Sequence, residues 1–433
     1  MTIASIDIQE GSVVQLRQGD ELVLRREDAA DLARQFDRCG EVAVIDLDAA
    51  MGKGSNAGIV KSLLRLAQCR VGGGVRTVDA AVELVSLGAE KIIVGSAALR
   101  CPDRPGFAVN AAFLDQLARK IGRERLVVAV DARSRDILAD GWKTATGLPL
   151  VDTARQIERY AGELLWTCVE REGTMTGIDM ETLRLLRGAV SCRITVAGGV
   201  TTIEEIELLA SAGCDVQLGM ALYTGTISLE DAFIHSLNWA KSADKLLPVI
   251  AQSPDGQVLM TGFTDAEALA RTFDSGKLCF HSRTRDKLWM KGESSGNTLG
   301  LIRLRADCDR DAILATVQPA GPVCHSGAHS CFETGPRFTI QRLQAIIEER
   351  LRTAPQGSYT ASLSVDKVRR KVMEEAYELC TARTPEESVW EAADLFYHAT
   401  LLLSKTDVSV ERVFAELDRR HKEDGAHKKR FSL

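Results

Sequence analysis

The chain has 433 residues, of which 45% are hydrophobic and 26% charged, and its formal net charge is −6 at pH 7. One hydrophobic core rarely grows past roughly 250 to 300 residues, so this length predicts two or three domains. The even, mildly acidic charge gives no sign of a nucleic-acid-binding surface, and no apolar run approaches the ~20 residues of a membrane span. The opening MTIASIDIQEG is strand-like and does not resemble a signal peptide. Eleven cysteines are therefore expected as reduced thiols in the cytoplasm, and clustered ones as metal ligands or catalytic groups.

The first 240 residues alternate between short apolar runs and segments of helical period. The apolar runs lie at 4–8, 42–48, 69–74, 91–96, 126–133, 164–170, 193–199 and 216–222. Eight strand–helix alternations of this kind predict a closed parallel (β/α)₈ barrel, the TIM barrel.

The two halves of this region repeat each other at an offset near 124 residues. SIDI with Asp7 recurs as AVDAR with Asp131, and VGSAAL recurs as LGMALY. Each half carries glycine-rich turns after its third and fourth strands, which place backbone N–H groups where phosphates bind. The predicted phosphate-binding residues are Gly73, Gly74, Gly95, Ser96, Gly198, Gly199 and Gly219. Asp7 and Asp131 would lie between two phosphates as an acid–base pair, although glycines can also simply make tight turns.

This region resembles the phosphoribosylformimino-aminoimidazole carboxamide isomerase family of histidine biosynthesis. The resemblance is carried by LRQGD, IDLDAAMGKGSN, VGGGVR, VGSAAL, VAVDAR, DGW, EGTMTG and AGGV. It implies that Asp7 and Asp131 are the acid–base pair of a sugar rearrangement, with Thr167 in the site.

The chain departs from that family at positions that bear on the substrate. Gln15 and Asp140 stand where the family usually has arginine, and Glu172 stands where it has aspartate. Without the two guanidinium groups, the site lacks paired N–H donors that glutamine and aspartate cannot supply. Arg17 is near enough in sequence to be considered a substitute for one of them. We expect a barrel that binds a bisphosphate ligand and isomerises it weakly. The alternative is a barrel without activity that serves as a scaffold or dimerisation platform.

The strand–helix alternation of the barrel ends at the segment NWAKSADKLLPVIAQSPDGQVLMTGFTD. The PDG in this segment predicts a turn between two strands. From GPRFTIQRLQAIIEER onward the pattern is helical. We therefore assign the barrel to residues 1–242, a small β-rich mixed α+β domain to 243–336, and an all-α domain to 337–433.

Acidic and sulfur-containing residues alternate in the stretch RADCDRDAIL. If this stretch is a strand, its period of two places Asp307, Asp309 and Asp311 on one face and Cys308 on the other. Carboxylates suit a hard ion such as Mg²⁺, whereas a thiolate suits a softer metal.

Two more cysteines follow in CHSGAHSC. Cys324 and Cys331 could complete a three-thiolate zinc site with Cys308, leaving a fourth position for water as in catalytic zinc. A structural zinc site would instead take His325 or His329 as its fourth ligand.

FHSRTRDKLWMKGESSGN, ADCDRDA and CHSGAHSC, within roughly residues 245–333, look like the phosphoribosyl-AMP cyclohydrolase family. That family opens the adenine ring by zinc-assisted hydrolysis, usually as a dimer that shares its zinc ligands. The resemblance implies zinc at Cys308, Cys324 and Cys331 and magnesium at Asp307, Asp309 and Asp311. It also implies His325 as a candidate general base. Basic residues implied to hold substrate phosphates, unless they form only a solvated loop, are His281, Arg283, Arg285 and Lys291.

Two carboxylate pairs mark the helical region. Glu375 and Glu378 are three residues apart, with Glu374 alongside, and Glu391 and Asp394 repeat that spacing. Two helices offering inward carboxylate pairs predict a magnesium cage for a pyrophosphate, although acidic pairs on helices are often solvated. Asp394 lies in the otherwise apolar AADLFYHATLLL, where an unpaired carboxylate would be costly.

GSYTASL, KVMEEAYEL and WEAADLFYH, within about residues 340–425, look like phosphoribosyl-ATP pyrophosphohydrolase. The three resemblances imply three successive steps of histidine biosynthesis: release of pyrophosphate, ring opening and isomerisation. The expected partners are small phosphoribosyl nucleotides and further copies of the chain, in a homodimer or larger homo-oligomer. A competing interpretation is a general nucleotide-cleaning pyrophosphatase fused to a zinc hydrolase.

Overall fold

The computed structural model describes residues 1–100, 106–332, 335 and 338–424. The chain forms two compact units, Met1–Thr334 and Gly335–Leu433. Among the described residues, no helix combines the length and the apolar character needed to cross a membrane.

The strands of the first 240 residues include the predicted barrel strands and two antiparallel additions. They are β1 (Thr2–Gln9), β2 (Ser12–Arg17), β3 (Glu21–Arg26), β4 (Val42–Asp46), β5 (Cys69–Gly72), β6 (Lys91–Val94), β7 (Leu126–Ala129), β8 (Ala132–Arg133), β9 (Asp136–Ala139), β10 (Thr144–Pro149), β11 (Glu163–Thr167), β12 (Arg193–Ala197) and β13 (Asp215–Leu218).

Eight of these strands form a closed parallel barrel, as the alternation of apolar runs predicts. Their order is β1-β4-β5-β6-β7-β11-β12-β13, and β13 pairs with β1 to close the ring, with Val216 opposite Thr2. The hairpin β2–β3 extends from β1, and β8, β9 and β10 form a small separate sheet.

Amphipathic helices connect the strands and bury their apolar faces against the outside of the barrel. These helices are α1 (Ala29–Phe36), α2 (Leu47–Met51), α3 (Ala57–Leu63), α4 (Val78–Ser86), α5 (Ala111–Ile121), α6 (Leu150–Ile157), α7 (Met180–Ala189), α8 (Ile203–Ser211), α9 (Met220–Tyr223) and α10 (Leu229–Ser236). Thr202 and Glu205 form a reciprocal capping box at the start of α8.

A buried ionic network lies near the amino ends of the barrel strands. The fully buried Arg70 donates to Glu41 Oε2 from Nε at 2.9 Å and also pairs with Glu163. Lys91 Nζ lies 2.9 Å from Glu163 and 3.2 Å from Glu41. Burial alone would raise the pKa of Glu41, but Arg70 and Lys91 outweigh it and lower that pKa to about 2.

The rest of the first unit is a mixed α+β region. Its elements are β14 (Leu247–Gln252), β15 (Val258–Thr264), α11 (Ala266–Ser275), β16 (Cys279–Ser282), β17 (Lys287–Met290), β18 (Leu299–Ala306) and β19 (Ile313–Pro319). The main sheet has the order β15-β14-β19-β18, and β16 and β17 form a separate hairpin. The predicted PDG turn joins β14 to β15.

The second unit is helical in its described part. Its helices are α12 (Ile340–Thr353), α13 (Tyr359–Ser362), α14 (Val365–Thr381), α15 (Pro385–Lys405) and α16 (Val410–Asp424). A small core of Ile347, Leu363, Val368 and Leu401 holds these helices together. The fold class expected from the sequence is therefore confirmed: a barrel, a strand-rich domain and a helical domain.

Candidate active sites

The barrel contains a cavity of about 280 Å³, lined by the carboxyl ends of its strands and the loops that follow them. Asp7, Asp131, Thr167 and Glu172 all face this cavity. Ser5 donates to Asp7 Oδ1 at 2.8 Å, and Thr167 and Trp142 hydrogen-bond Asp131. The predicted acid–base pair therefore shares one cavity with a third carboxyl group.

Burial changes the protonation of these carboxyl groups. It raises the pKa of Asp7 to about 6, against a smaller opposing effect from Ser5, and it also raises the pKa of Asp131. Burial, together with repulsion from Asp7 and Asp131, raises the pKa of Glu172 to about 8. At neutral pH the cavity can therefore hold both a protonated and an ionised carboxyl group, as acid–base chemistry requires.

The glycine-rich loops of both halves also line the cavity. The lining includes Gly73, Gly74, Gly95, Ser96, Gly198, Gly199 and Gly219. Because β5 and β6 lie opposite β12 and β13 in the ring, the loops of the two halves face each other across the barrel.

Arg17 does not replace the arginine that is missing at Gln15 or at Asp140. Gln15 is buried, at 2% exposed, whereas Arg17, two residues later on β2, is exposed and pairs with Glu21 at 3.1 Å. Arg17 is not among the residues that line the cavity, so its guanidinium does not replace a missing arginine there. Asp140 pairs with Arg100 at 2.5 Å.

The stretch from Asp307 to Asp311 is not a strand, which corrects the prediction made above. It is the connection between β18 and β19, with Arg310 in the left-handed region at φ +64°. The three aspartates nevertheless come together, with ligand oxygens within 4.8 Å of one another. The turn achieves this because the carboxylate of Asp307 accepts backbone N–H groups of Asp311 at 3.0 Å and Ala312 at 3.1 Å.

This aspartate turn is attached to the barrel. Arg310 donates to the carbonyl oxygens of Ala210 and Cys214, and its own carbonyl accepts from Asn238 N at 2.8 Å. Lys241 pairs with Asp309 and, at 3.0 Å, with Asp311, and its hydrogen bond lowers the pKa of Asp309. Sequence patterns did not identify Lys241, because it lies 66 or more residues before the turn in a linker without a motif.

The three candidate zinc cysteines do not form one cluster within the chain. Cys324 and Cys331 are hydrogen-bonded to each other, but the three sulfur atoms, with that of the exposed Cys308, do not all lie within 4.8 Å. A hydrogen bond from Ser326 lowers the pKa of Cys324, which favours its thiolate. His325 is exposed, with Nδ1 3.8 Å from Cys324 Sγ.

The candidate phosphate-binding residues lie on or beside the β16–β17 hairpin. His281 is held between Asp286 and Asp265, at 3.0 Å and 2.7 Å, and these carboxylates raise its pKa despite opposing desolvation. Arg283 stacks on Phe263 at 3.6 Å, Arg285 faces Trp289, and Lys291 lies near Cys331. Asp265 was missed in the sequence because it sits sixteen residues before His281, at the N-cap of α11.

The carboxylates of α14 and α15 meet as predicted from their spacing. Glu375, Glu391 and Asp394 place ligand oxygens within 4.8 Å of one another, and Glu374 and Glu378 form an overlapping group with Glu375. Burial and repulsion from Glu391, Glu375 and Glu374 raise the pKa of Glu378. Such crowding of like charges is relieved by a bound cation.

A buried histidine supports this carboxylate cluster. His398 Nδ1 lies 3.6 Å from Glu375 and 3.0 Å from the carbonyl oxygen of Asp394, and Tyr359 contacts its Nε2 at 3.5 Å. Lys371 lies 3.3 Å from the same glutamate. The signal for His398 was present in the sequence, since it follows Asp394 by one helical turn.

Comparisons with known proteins match all three parts of the chain. Residues 1–228 match the family model described as histidine biosynthesis protein. Residues 260–333 match phosphoribosyl-AMP cyclohydrolase, and residues 340–421 match phosphoribosyl-ATP pyrophosphohydrolase.

Curated relatives include histidine biosynthesis bifunctional proteins HisIE from several bacteria. The protein from Xanthomonas campestris pv. campestris is 43% identical over 196 residues, which is 44% of this chain and 95% of the relative. The protein from Bacteroides thetaiotaomicron is 42% identical, covering 41% of this chain and 92% of the relative. The protein from Escherichia coli O6:H1 is 41% identical, covering 43% and 95%.

The acidic clusters of residues 307–311 and of α14 and α15 lie within the two matched hydrolase regions. The two hydrolase domains carry out the pyrophosphohydrolase and cyclohydrolase steps of histidine biosynthesis, and both belong to metal-dependent families. The chain therefore belongs to the histidine biosynthesis protein family, as a barrel of that family fused to a bifunctional phosphoribosyl-AMP cyclohydrolase and phosphoribosyl-ATP pyrophosphohydrolase.

Proposed function

We propose that the carboxylates of α14 and α15 are the pyrophosphohydrolase centre and bind Mg²⁺ through Glu375, Glu378, Glu391 and Asp394. The convergence of these side chains from two helices carries the proposal. Oxygen-only ligands suit Mg²⁺, which typically bridges protein carboxylates and substrate phosphates. Magnesium bound there supplies charge neutralisation for the triphosphate and the departing pyrophosphate.

The reaction at this centre is the hydrolysis of phosphoribosyl-ATP. Water adds to the α-phosphorus, the bond to the leaving pyrophosphate oxygen breaks, and phosphoribosyl-AMP remains. The buried His398, together with the partly exposed Lys371, holds Glu375 in place by contacts to its carboxylate. Glu375 can then present its oxygen to the centre of the cluster without losing a hydrogen-bonding partner.

In the cyclohydrolase domain we propose magnesium at Asp307, Asp309 and Asp311 and zinc at cysteine sulfurs. Zinc bound by three thiolates supplies activation of the hydrolytic water. Water adds to a ring carbon of the adenine, and a ring carbon–nitrogen bond breaks. His325, exposed beside Cys324, is the proposed base, and His281, Arg283, Arg285 and Lys291 are the proposed phosphate-binding groups.

The separation of the cysteines supports a zinc site shared between two copies of the chain. Cys324 and Cys331 are adjacent, whereas Cys308 does not join them within one chain. A partner subunit would then supply the third thiolate. Reduced cysteine ligands also fit a cytoplasmic location, which is part of this proposal.

Exposed apolar residues of the helical domain add support for a homo-oligomer. Met373, Tyr377, Val389 and Trp390 on α14 and α15 are 68%, 70%, 71% and 71% exposed. Large exposed apolar residues in such numbers mark an association surface. Sedimentation of the full chain should give a dimer or larger species, and a monomer at micromolar concentration would refute this.

The barrel has a second candidate function, acid–base isomerisation of a phosphorylated sugar-like substrate. The observation that favours it is the convergence of Asp7, Asp131 and Glu172 in one cavity with raised pKa values. An isomerase assay of the full chain beside Asp7→Asn tests it, since equal background rates in both would favour the scaffold alternative.

A further inference from the structure

The two ends of the barrel cavity differ in charge. Among the described lining residues, Arg76 is the only lysine or arginine, and it follows the glycine run of the first half. The second half contributes Glu172, and Asp7 and Asp131 lie between the two halves. Among these lining residues, a phosphate dianion therefore meets a cation at the first-half end only.

Hydrogen-bond acceptors occupy the second-half end. Glu172 Oε2 lies against Gly198, only 2.7 Å from where a Cβ of that glycine would stand. Gln15 Oε1 lies in the same way against Gly219, at 2.8 Å, while its amide nitrogen donates to Val14 O at 3.1 Å. Side-chain oxygens therefore occupy the space beside the loop glycines that a second phosphate would need.

An unpartnered group at this end indicates what the cavity accepts instead. Gln217, on β13 beside the second-half loops, lines the cavity, and its buried Oε1 has no hydrogen-bond partner. A buried acceptor without a donor is costly, so a ligand that supplies an O–H or N–H there would be favoured.

The first-half end keeps the features of a phosphate site. The position of a Cβ at Gly95 has nothing within 4 Å, so the backbone there is open to the cavity. Ser96 lines the cavity beside it and accepts a hydrogen bond from Asp140 N at 2.8 Å. Arg76 adds a cationic donor for a phosphate at this end, and its guanidinium donates to Ala50 O at 2.8 Å.

We propose that the barrel cavity takes a ligand with a single phosphate, bound near Ser96 and Arg76, and with hydroxyl or amino groups at the Glu172 end. A monophosphorylated sugar or amino sugar has this chemistry. The two-phosphate product of ring opening does not, so it is a poor ligand of this barrel. The inference rests on the proposed barrel function for turnover, but the binding it describes is measurable without turnover.

Calorimetric titration of the full chain with ribose 5-phosphate and with ribulose 1,5-bisphosphate tests this proposal. The hydrolase domains also contact phosphates, so the barrel's share of binding is the part lost in Ser96→Asp. That variant keeps an acceptor for Asp140 N but places a negative charge at the phosphate end. We expect the binding that is lost in Ser96→Asp to be at least as tight for the monophosphate as for the bisphosphate.

A gain-of-function variant provides the matched control. Gln15→Arg with Glu172→Gln adds a cation and removes a carboxyl group at the other end. It should tighten the bisphosphate at least tenfold relative to the monophosphate. Tighter binding of the bisphosphate by the unaltered chain, or no Ser96-dependent binding of the monophosphate, would overturn the proposal. Binding of the monophosphate without isomerisation would support the binding proposal and refute only the acid–base function.

Discussion

Glu375 is the residue on which the proposed pyrophosphohydrolase centre depends most. It is 4% exposed, belongs to both carboxylate groups, and contacts His398 and Lys371. A buried carboxylate surrounded by other carboxylates is stable only when cations compensate it. Its burial therefore favours the proposed metal and substrate site over the solvated helix face that acidic spacing alone permits.

We predict that Glu375→Gln and Asp394→Asn each reduce pyrophosphate release from phosphoribosyl-ATP by on the order of 10²-fold or more, because each removes a charge that holds the metal. Glu386→Gln is the matched control, since Glu386 is exposed in the first turn of the same helix and lies outside the cluster. Pyrophosphate release is measured with saturating Mg²⁺. Equal rates for all three variants would show that the cluster is only surface charge.

Cysteine and aspartate substitutions in the cyclohydrolase domain should have separable effects. We predict about one zinc per chain, lost in Cys324→Ala because a thiolate ligand is removed. Asp309→Asn should keep the zinc but raise the Mg²⁺ concentration needed for ring opening. Cys380→Ala, at an exposed cysteine of α14, should change neither property.

Elemental analysis of the purified variants, followed by activity titrations with Mg²⁺, measures both effects. Full ring-opening activity in metal-free protein would refute the zinc assignment. Loss of zinc in Asp309→Asn would show that the aspartate turn and the cysteines form one metal site.

The aspartate turn shows how one element depends on a neighbouring domain. Its strained residue, Arg310, has φ +64° and is fixed by carbonyl oxygens at and beyond the end of α8. Since Asp309 and Asp311 flank Arg310, this anchor sets where their carboxylates point. The barrel thus has a structural role at the aspartate turn, whatever reaction it performs.

We predict that Arg310→Gln weakens Mn²⁺ binding to the turn severalfold, since two charge-assisted hydrogen bonds of ~1.5–3 kcal/mol each are lost. Mn²⁺ binding is measured by electron paramagnetic resonance, as a stand-in for Mg²⁺. Arg303→Gln is the control, because Arg303 lies on β18, outside the turn itself, and pairs with Asp37 of the barrel. An equal loss of Mn²⁺ affinity in both variants would mean that general loosening of the domains, and not the anchor, is responsible.

Elements were predicted from the sequence more completely than the contacts between them. The eight barrel strands follow from local periodicity, and the carboxylates of α14 and α15 meet because helical spacing fixes their faces. The aspartate turn was assigned to a strand because its apolar flanks extend the alternation, whereas a hydrogen-bonded turn reverses the chain there. Lys241 pairs with Asp309 and Asp311, and the pKa of Glu172 is raised partly by Asp7 and Asp131. These partners are distant in sequence, so no local pattern predicts the contacts.

At the scale of the whole molecule, the barrel depends on ions buried beneath its cavity. Arg70, Glu41, Glu163 and Lys91 form this network inside the ring of strands. Removing one member of a buried ion pair leaves an uncompensated charge, at a cost of about 3–5 kcal/mol.

We predict that Arg70→Met lowers the free energy of unfolding by about 3–5 kcal/mol in urea titrations. Arg119→Met should cost below ~1 kcal/mol, because its pair with Asp115 is exposed. The pKa of Glu41 is lowered to about 2, so its contribution is complete above the ordinary pKa near 4.5 and disappears as pH falls toward 2. A barrel equally stable at pH 5 and pH 2.5 would contradict this account.

The central claim is that two hydrolytic centres in one chain act in sequence on a phosphoribosyl nucleotide. The most direct measurement follows pyrophosphate, phosphoribosyl-AMP and the ring-opened product over time after phosphoribosyl-ATP is added to the full chain and to Cys324→Ala. We predict that the unaltered chain yields pyrophosphate and ring-opened product in equal final amounts. Cys324→Ala should release pyrophosphate at the normal rate and accumulate phosphoribosyl-AMP. Loss of pyrophosphate release in that variant, or ring-opened product without phosphoribosyl-AMP as its precursor, would contradict the claim.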